Sequence, residues 1–175
     1  MIKKLFLSVL IALLVISPVL AVDLSNFPEV FLEDVRIVVG RSAAAEDVIG
    51  AIDIMAALQQ RVGTYRRLGR AMLDTEVEDL ESSNTIVVGG PCINSVAARL
   101  MGYPTNCLEG FELGRGIIKI YEFDNGNYAL LAAGTTALDT RRVTSVLANY
   151  KDFALTGNEM MVTGFSIIDI KVNPK

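Results

Sequence analysis

The sequence predicts a single layered α/β domain with a mixed, mainly parallel sheet, three covering helices and an Asn-Gly β-hairpin. Three observations point there. A short apolar run ending in glycine, then a small-polar turn, then an amphipathic stretch occurs three times, beginning at Val35, Ile86 and Leu130. Such β–turn–α units favour parallel strands covered by helices. Asp124-Asn125-Gly126-Asn127 joins two apolar runs and is a hairpin signal, which adds an antiparallel pair. The length of 175 residues suits one domain rather than two.

The chain opens with a targeting segment. Lys3 and Lys4 precede an apolar run, Leu5 to Ile16, interrupted only by Ser8. Pro18 breaks that run, and Val19-Leu20-Ala21 fits a small-residue cleavage site. The run is short for a membrane span, so residues 1–21 are predicted to be a signal peptide and residues 22–175 the domain. An uncleaved N-terminal anchor is the alternative. Removal of that segment leaves 14 cationic against 20 acidic residues, a net charge of −6. An acidic domain without a basic cluster is a poor nucleic-acid partner. No second long apolar segment follows, so no membrane span is expected in the mature chain.

Val22 to Glu33, with Pro28 inside it, reads as an extended entry segment. Val35 to Val39 is a strand ending at Gly40. A helix over about 44–61 follows, with Val48, Ile52, Met55, Ala56 and Gln59 on one face and Ile49 and Leu58 widening it. Gly50 within it suggests close packing on the sheet. Arg61 to Ala71 is basic and reads as a loop or short helix; Asp74 to Glu81 is acidic and reads as irregular or a short strand. Ile86 to Val88 is a buried strand, Gly89-Gly90-Pro91 a tight turn, and Ile93 to Met101 a helix bracketed by the chain's two cysteines. Gly116 to Phe123 and Tyr128 to Ala133 are the hairpin strands. The third helix covers Leu138 to Tyr150, with Val143, Val146 and Leu147 inward and Arg141 and Arg142 exposed. Met160 to Val172 suggests two short strands around Gly164.

The chemistry is bounded as much by what is missing. There is no histidine, which removes His-based triads, His-ligated zinc and imidazole acid–base catalysis. Two cysteines in an exported chain imply one disulfide, Cys92 to Cys107, with two buried thiols as the alternative. Gly40, Gly89, Gly90 and Gly134 sit at strand-to-helix turns. Amide groups there could hold an anion or glycan, or the glycines could simply allow tight reversal. Ser42, Asp47, Thr135, Thr136 and Asp139 stand where helix caps are expected. Asp47 with Asp139 is also the one pair that could form a carboxylate-dependent hydrolase, if the two lie together. Capping is the preferred reading, and no catalytic residue, cofactor or metal is predicted. The basic segment 61–70 and the acidic segment 74–81 could pair within the fold or between subunits.

Three stretches carry a family resemblance. Val87 to Cys107 (V-V-G-G-P-C-I-N-S-V-A-A-R-L-M-G-Y-P-T-N-C), Ala129 to Tyr150 (A-L-L-A-A-G-T-T-A-L-D-T-R-R-V-T-S-V-L-A-N-Y) and Val38 to Ile54 (V-V-G-R-S-A-A-A-E-D-V-I-G-A-I-D-I) resemble segments of archaeal S-layer proteins, in the same order. A looser likeness, in strand–turn–helix grammar only, is to bacterial cell-wall-binding repeats of type 2. The S-layer resemblance implies an exported, non-enzymatic protein at the cell surface. Its partners would be copies of itself or other S-layer and envelope proteins, as a lattice component or as an accessory docked on one.

Overall fold

Three apolar runs, Val35–Val39 (β1), Thr85–Val88 (β3) and Tyr128–Gly134 (β5), lie side by side and parallel at the centre of the structure. The computed structural model describes residues 21–64 and 66–175. The expected signal peptide therefore lies outside the described residues, Ala21 apart. A parallel edge strand, Gly69–Leu73 (β2), flanks β1. On the other side Gly116–Glu122 (β4), Glu159–Thr163 (β6) and Lys171–Pro174 (β7) continue the sheet in antiparallel sense. The strand order is β2-β1-β3-β5-β4-β6-β7. The sheet is thus mixed, parallel from β2 to β5 and antiparallel beyond. The β4–β5 hairpin turns at Gly126, whose φ of 82° only glycine adopts freely.

Alternation within each strand loads both faces of the sheet. Val35, Ile37, Ile86, Val88, Leu130, Ala132 and Ile118 face Ala45–Val62 (α1) and Ala137–Ala148 (α3). Val38, Val87, Leu131, Ala133 and Ile117 face the short helix Ser95–Leu100 (α2), together with Val77 and Leu80. The result is three layers, with two long helices on one face and one short helix on the other.

Several elements differ from the sequence reading. The entry segment is not extended: it forms 3-10 turns at Leu24–Asn26 and Glu29–Phe31, and buries Leu24, Phe27 and Phe31 under the α1/α3 face. Phe27 packs edge-on to Tyr150, with ring centroids 5.5 Å apart. The segment read as loop or short helix, Arg61 to Ala71, runs instead into the first half of β2. The acidic segment opens with a 3-10 turn, Asp74–Glu76, and is otherwise irregular.

The buried face of α1 is also different. Asp47, Gly50, Ala51, Ile54 and Leu58 face inward, while Val48, Ile49 and Ile52 (61% exposed) do not. Apolar residues occupy both sides of this helix, so periodicity alone does not choose between them. Gly50 decides it. A Cβ there would overlap the side chain of Thr144 on α3, so the glycine lets the two helices approach closely. Its neighbour is therefore α3, not the sheet. On α3, Val143, Val146 and Leu147 are buried, but so is Arg142. Arg142 turns back within its own helix to pair with buried Asp139 and donates to the Gly114 carbonyl at 3.3 Å.

Among the described residues no salt bridge within the chain joins the basic segment to the acidic one. Arg61 reaches Glu29 at 2.9 Å and Arg66 reaches Glu33 at 3.2 Å, both exposed pairs of small energetic weight. Between β6 and β7 a surface loop is closed by Asp169, which accepts from the N–H groups of Phe165 and Ser166. It leaves Phe165 (95%) and Ile168 (91%) exposed to solvent.

Candidate functional site

The three strand-to-helix turns meet at the carboxyl ends of β1, β3 and β5, the edge of an open α/β sheet where ligands bind. Around a cavity of about 210 Å³ stand Ser42, Asp47, Gly90, Gly134, Thr135 and Thr136. The Cys92–Cys107 disulfide and Phe111 complete the wall.

The glycines serve close approach. A Cβ at Gly40 would overlap the Ile93 carbonyl, and one at Gly134 would overlap Asp139 and the Thr140 amide. Gly134 also donates its N–H to the Thr140 hydroxyl at 3.1 Å. Gly89 has a φ of 99° and donates to the Ala132 carbonyl, so its amide is committed to the sheet. Gly90 lines the cavity.

The expected caps divide into different roles. Thr136 is the N-cap of α3, accepting from the Asp139 N–H at 3.2 Å, and Asp139 accepts in return from the Thr136 N–H at 3.0 Å. That reciprocal pair is a capping box. Thr135 is not the cap itself; its hydroxyl donates to Asp139 at 2.6 Å and fixes the carboxylate. Ser42 caps nothing. The N-cap of α1 is Ala44, two residues further on, and no side chain caps it. Asp47 compensates from the third helical position, accepting from the Ala44 N–H at 3.3 Å.

Asp47 and Asp139 are both buried at this edge, and Asp47 interacts with Thr140, the residue after Asp139. Their surroundings differ. Asp139 is engaged by Thr135, Thr136 and Arg142. Asp47 uses one carboxylate oxygen, Oδ2, and leaves Oδ1 buried without a hydrogen-bond partner. Burial pushes the Asp47 carboxyl above its ordinary value, against the opposing pull of the Ala44 N–H and the Thr140 hydroxyl. A group raised in this way adds stability below the unfolded carboxylate pKa and loses that contribution as pH rises through the folded value. Asp47 therefore costs stability at neutral pH.

Two residues that tie the turns around the site together went unnoticed in the sequence. Asn94 is the N-cap of α2, accepting from the Val96 and Ala97 N–H groups at 3.0 and 3.2 Å. Its amide donates to the Val88 carbonyl at 2.9 Å, tying the helix to β3. The signal was present: asparagine directly before a helical run. Asp74 accepts from the Arg41 N–H and the Ser95 N–H, each at 2.8 Å, and joins the β1–α1 turn to the start of α2. Burial works to raise the Asp74 carboxyl, but these N–H groups outweigh it and hold it below the ordinary value. Its contribution is present above the unfolded carboxylate pKa of about 3.9 and is lost as pH falls through the folded value. Asp74→Asn is expected to lose about 1–2 kcal/mol at pH 7, with the deficit closing below about pH 4. Urea unfolding of both proteins at pH 7 and pH 3 checks this, and a deficit equal at both pH values contradicts it.

Among the described residues no group of three or more His, Cys, Asp and Glu could hold a metal ion, and no helix is long and apolar enough to cross a membrane.

Comparison with curated proteins finds no match. Residues 66–151, a span that includes β2 through α3, match the family described as S-layer like family, outer domain. That span holds two of the three resembling stretches, Val87 to Cys107 and Ala129 to Tyr150, and both cysteines. Over residues 66–151, just under half of the chain, the sequence is thus similar to the outer domain of the S-layer-like family.

Proposed function

We propose that this is an exported S-layer component or accessory at the archaeal cell surface, acting without catalysis through contacts with its own copies or other envelope proteins. The observation that carries this reading is an apolar groove beside an open sheet edge. The groove, about 390 Å³, is lined by Ile37, Val39, Val48, Ile52, Met55 and Ala71. It runs along the outward flank of α1 next to β2, the terminal strand of the sheet. Exposed apolar surface and unpaired strand edges together favour association with another chain. The opposite edge is different: β7 carries Lys171 and Pro174, residues that discourage pairing.

Ile52→Lys puts a charge in the groove without touching the buried face of α1. It is expected to abolish self-association and envelope binding while leaving the unfolding midpoint within about 0.5 kcal/mol of the wild type. Sedimentation and light scattering, with and without calcium, measure the first; co-sedimentation with isolated envelopes measures the second. A wild-type protein that stays strictly monomeric and ignores envelopes overturns the reading.

A further inference from the structure

We propose that the cavity where the three strand-to-helix turns meet binds a neutral, hydroxyl-bearing ligand the size of a single sugar ring, with Asp47 as its hydrogen-bond acceptor. The cavity, about 210 Å³, is smaller than the usual range for drug-sized ligands, which restricts it to a compact group. One part of its wall is apolar: Pro91, Ile93, Leu108, Phe111 and the disulfide. The other part is polar, with Asp47 and the hydroxyls at the start of α3. A ring with an apolar C–H face and hydroxyl edges matches both parts.

The electrostatics select against charge of either sign. Asp47 is the one charged residue in the lining, and no lysine or arginine stands there to hold an anion. The first turns of α1 and α3, represented by Ala44, Thr136 and Ala137, point the positive ends of their dipoles at the same space, which opposes a cation. A neutral ligand offering both donors and acceptors meets neither penalty.

The orphan oxygen gives the site its direction. Asp47 is 0% exposed, and its Oδ1 has no partner. A buried acceptor left unpaired carries a free-energy cost that a donor from a ligand removes. The other polar side chains of the site are differently placed. Thr135 and Thr136 serve Asp139, and Thr140 accepts from Gly134 and shares its one hydroxyl proton between the Thr136 carbonyl and Asp47. A group kept buried, destabilising at neutral pH and incompletely bonded is better explained by a ligand than by the fold.

This site is separate from the α1 groove, so sugar binding and self-association can fail independently. The experiment titrates the purified protein with three probes of one shape and different charge: methyl glucoside, glucosamine and glucose 6-phosphate. Calorimetry or amide chemical shifts of Gly90, Thr136 and Ala137 follow binding. The expected result is saturable binding of methyl glucoside, at least tenfold weaker binding of the two charged sugars, and at least tenfold loss in Asp47→Asn without a lowered unfolding midpoint. Ala137→Leu, which narrows the cavity from α3, is expected to give the same loss and decides the matter if Asp47→Asn does not fold. Tightest binding of either charged sugar, methyl glucoside affinity unchanged in the variants, or no saturable binding of any probe overturns the proposal; the last outcome leaves a cavity that holds water only.

Discussion

Arg36→Met is expected to destabilise the protein by about 3–5 kcal/mol, because one buried charged donor is lost and several backbone carbonyls are left without a partner. Arg36 is 4% exposed and is the second residue of β1. Its guanidinium donates to the carbonyls of Asp79 (2.8 Å), Leu80 (2.8 Å) and Ser83 (3.2 Å), and to the Thr85 and Ser82 hydroxyls at 3.1 and 3.3 Å. All of these acceptors but Thr85, which opens β3, belong to an irregular segment with no ladder of its own, so Arg36 replaces secondary structure there. Asn125 and Asn127 hold the same segment from the hairpin, each donating to the Glu81 carbonyl, at 2.8 and 2.6 Å. Methionine keeps the packing of the stem and removes every donor, leaving carbonyls that water reaches only in part. Arg36→Lys, with a compact ammonium in place of a fork, is expected to recover part of the loss. Urea unfolding at pH 7 measures both, and a Met variant within 1 kcal/mol of wild type refutes this account.

The second large effect belongs to the disulfide. Replacing Cys92 and Cys107 together by serine is expected to cost about 3 kcal/mol, because the closed loop limits the freedom of the unfolded chain. The two residues are 15 apart in sequence. For a domain of this size, such a change lowers the melting temperature by about 6–12 °C. Calorimetry of the wild type and the double variant checks it, and equal midpoints would show that the loop is already constrained in the unfolded chain. The bridge joins the turn after β3 to the loop before β4, so its removal should also loosen one wall of the cavity.

How far the sequence could be read depended on which physical constraint was local. β1, β3, β4, β5 and α3 are visible because their runs are flanked by glycine or a hairpin signal, and their apolar periodicity has one solution. β2 is hidden: Gly-Arg-Ala-Met-Leu is a half-exposed edge strand with neither alternation nor a continuous apolar run. The α1 face is hidden because apolar residues lie on both of its sides, and the choice was made by Thr144, nearly a hundred residues away. Arg36 is hidden because one charge among apolar residues looks like alternation toward solvent. Arg142 misleads for the same reason, with its partner Asp139 on its own helix. At the site, the glycines mark each turn, but their convergence depends on strand order, and nothing in the sequence distinguishes the engaged Asp139 from the half-bonded Asp47.

The unequal edges of the sheet also constrain how copies could assemble. Pairing β2 with β2 of a second copy relates the two by a two-fold axis, and the same surface is used on both sides. Such a contact consumes each copy's open edge and closes at two. β7, with Lys171 and Pro174, offers no second edge from which a ribbon could grow. Sheet extension therefore yields a closed dimer as a building block, and a two-dimensional coat needs another surface to link dimers. The loop tip bearing Phe165 and Ile168 is another exposed apolar feature of the described residues. Growth would then depend on two contacts of different symmetry, separable by one substitution in each.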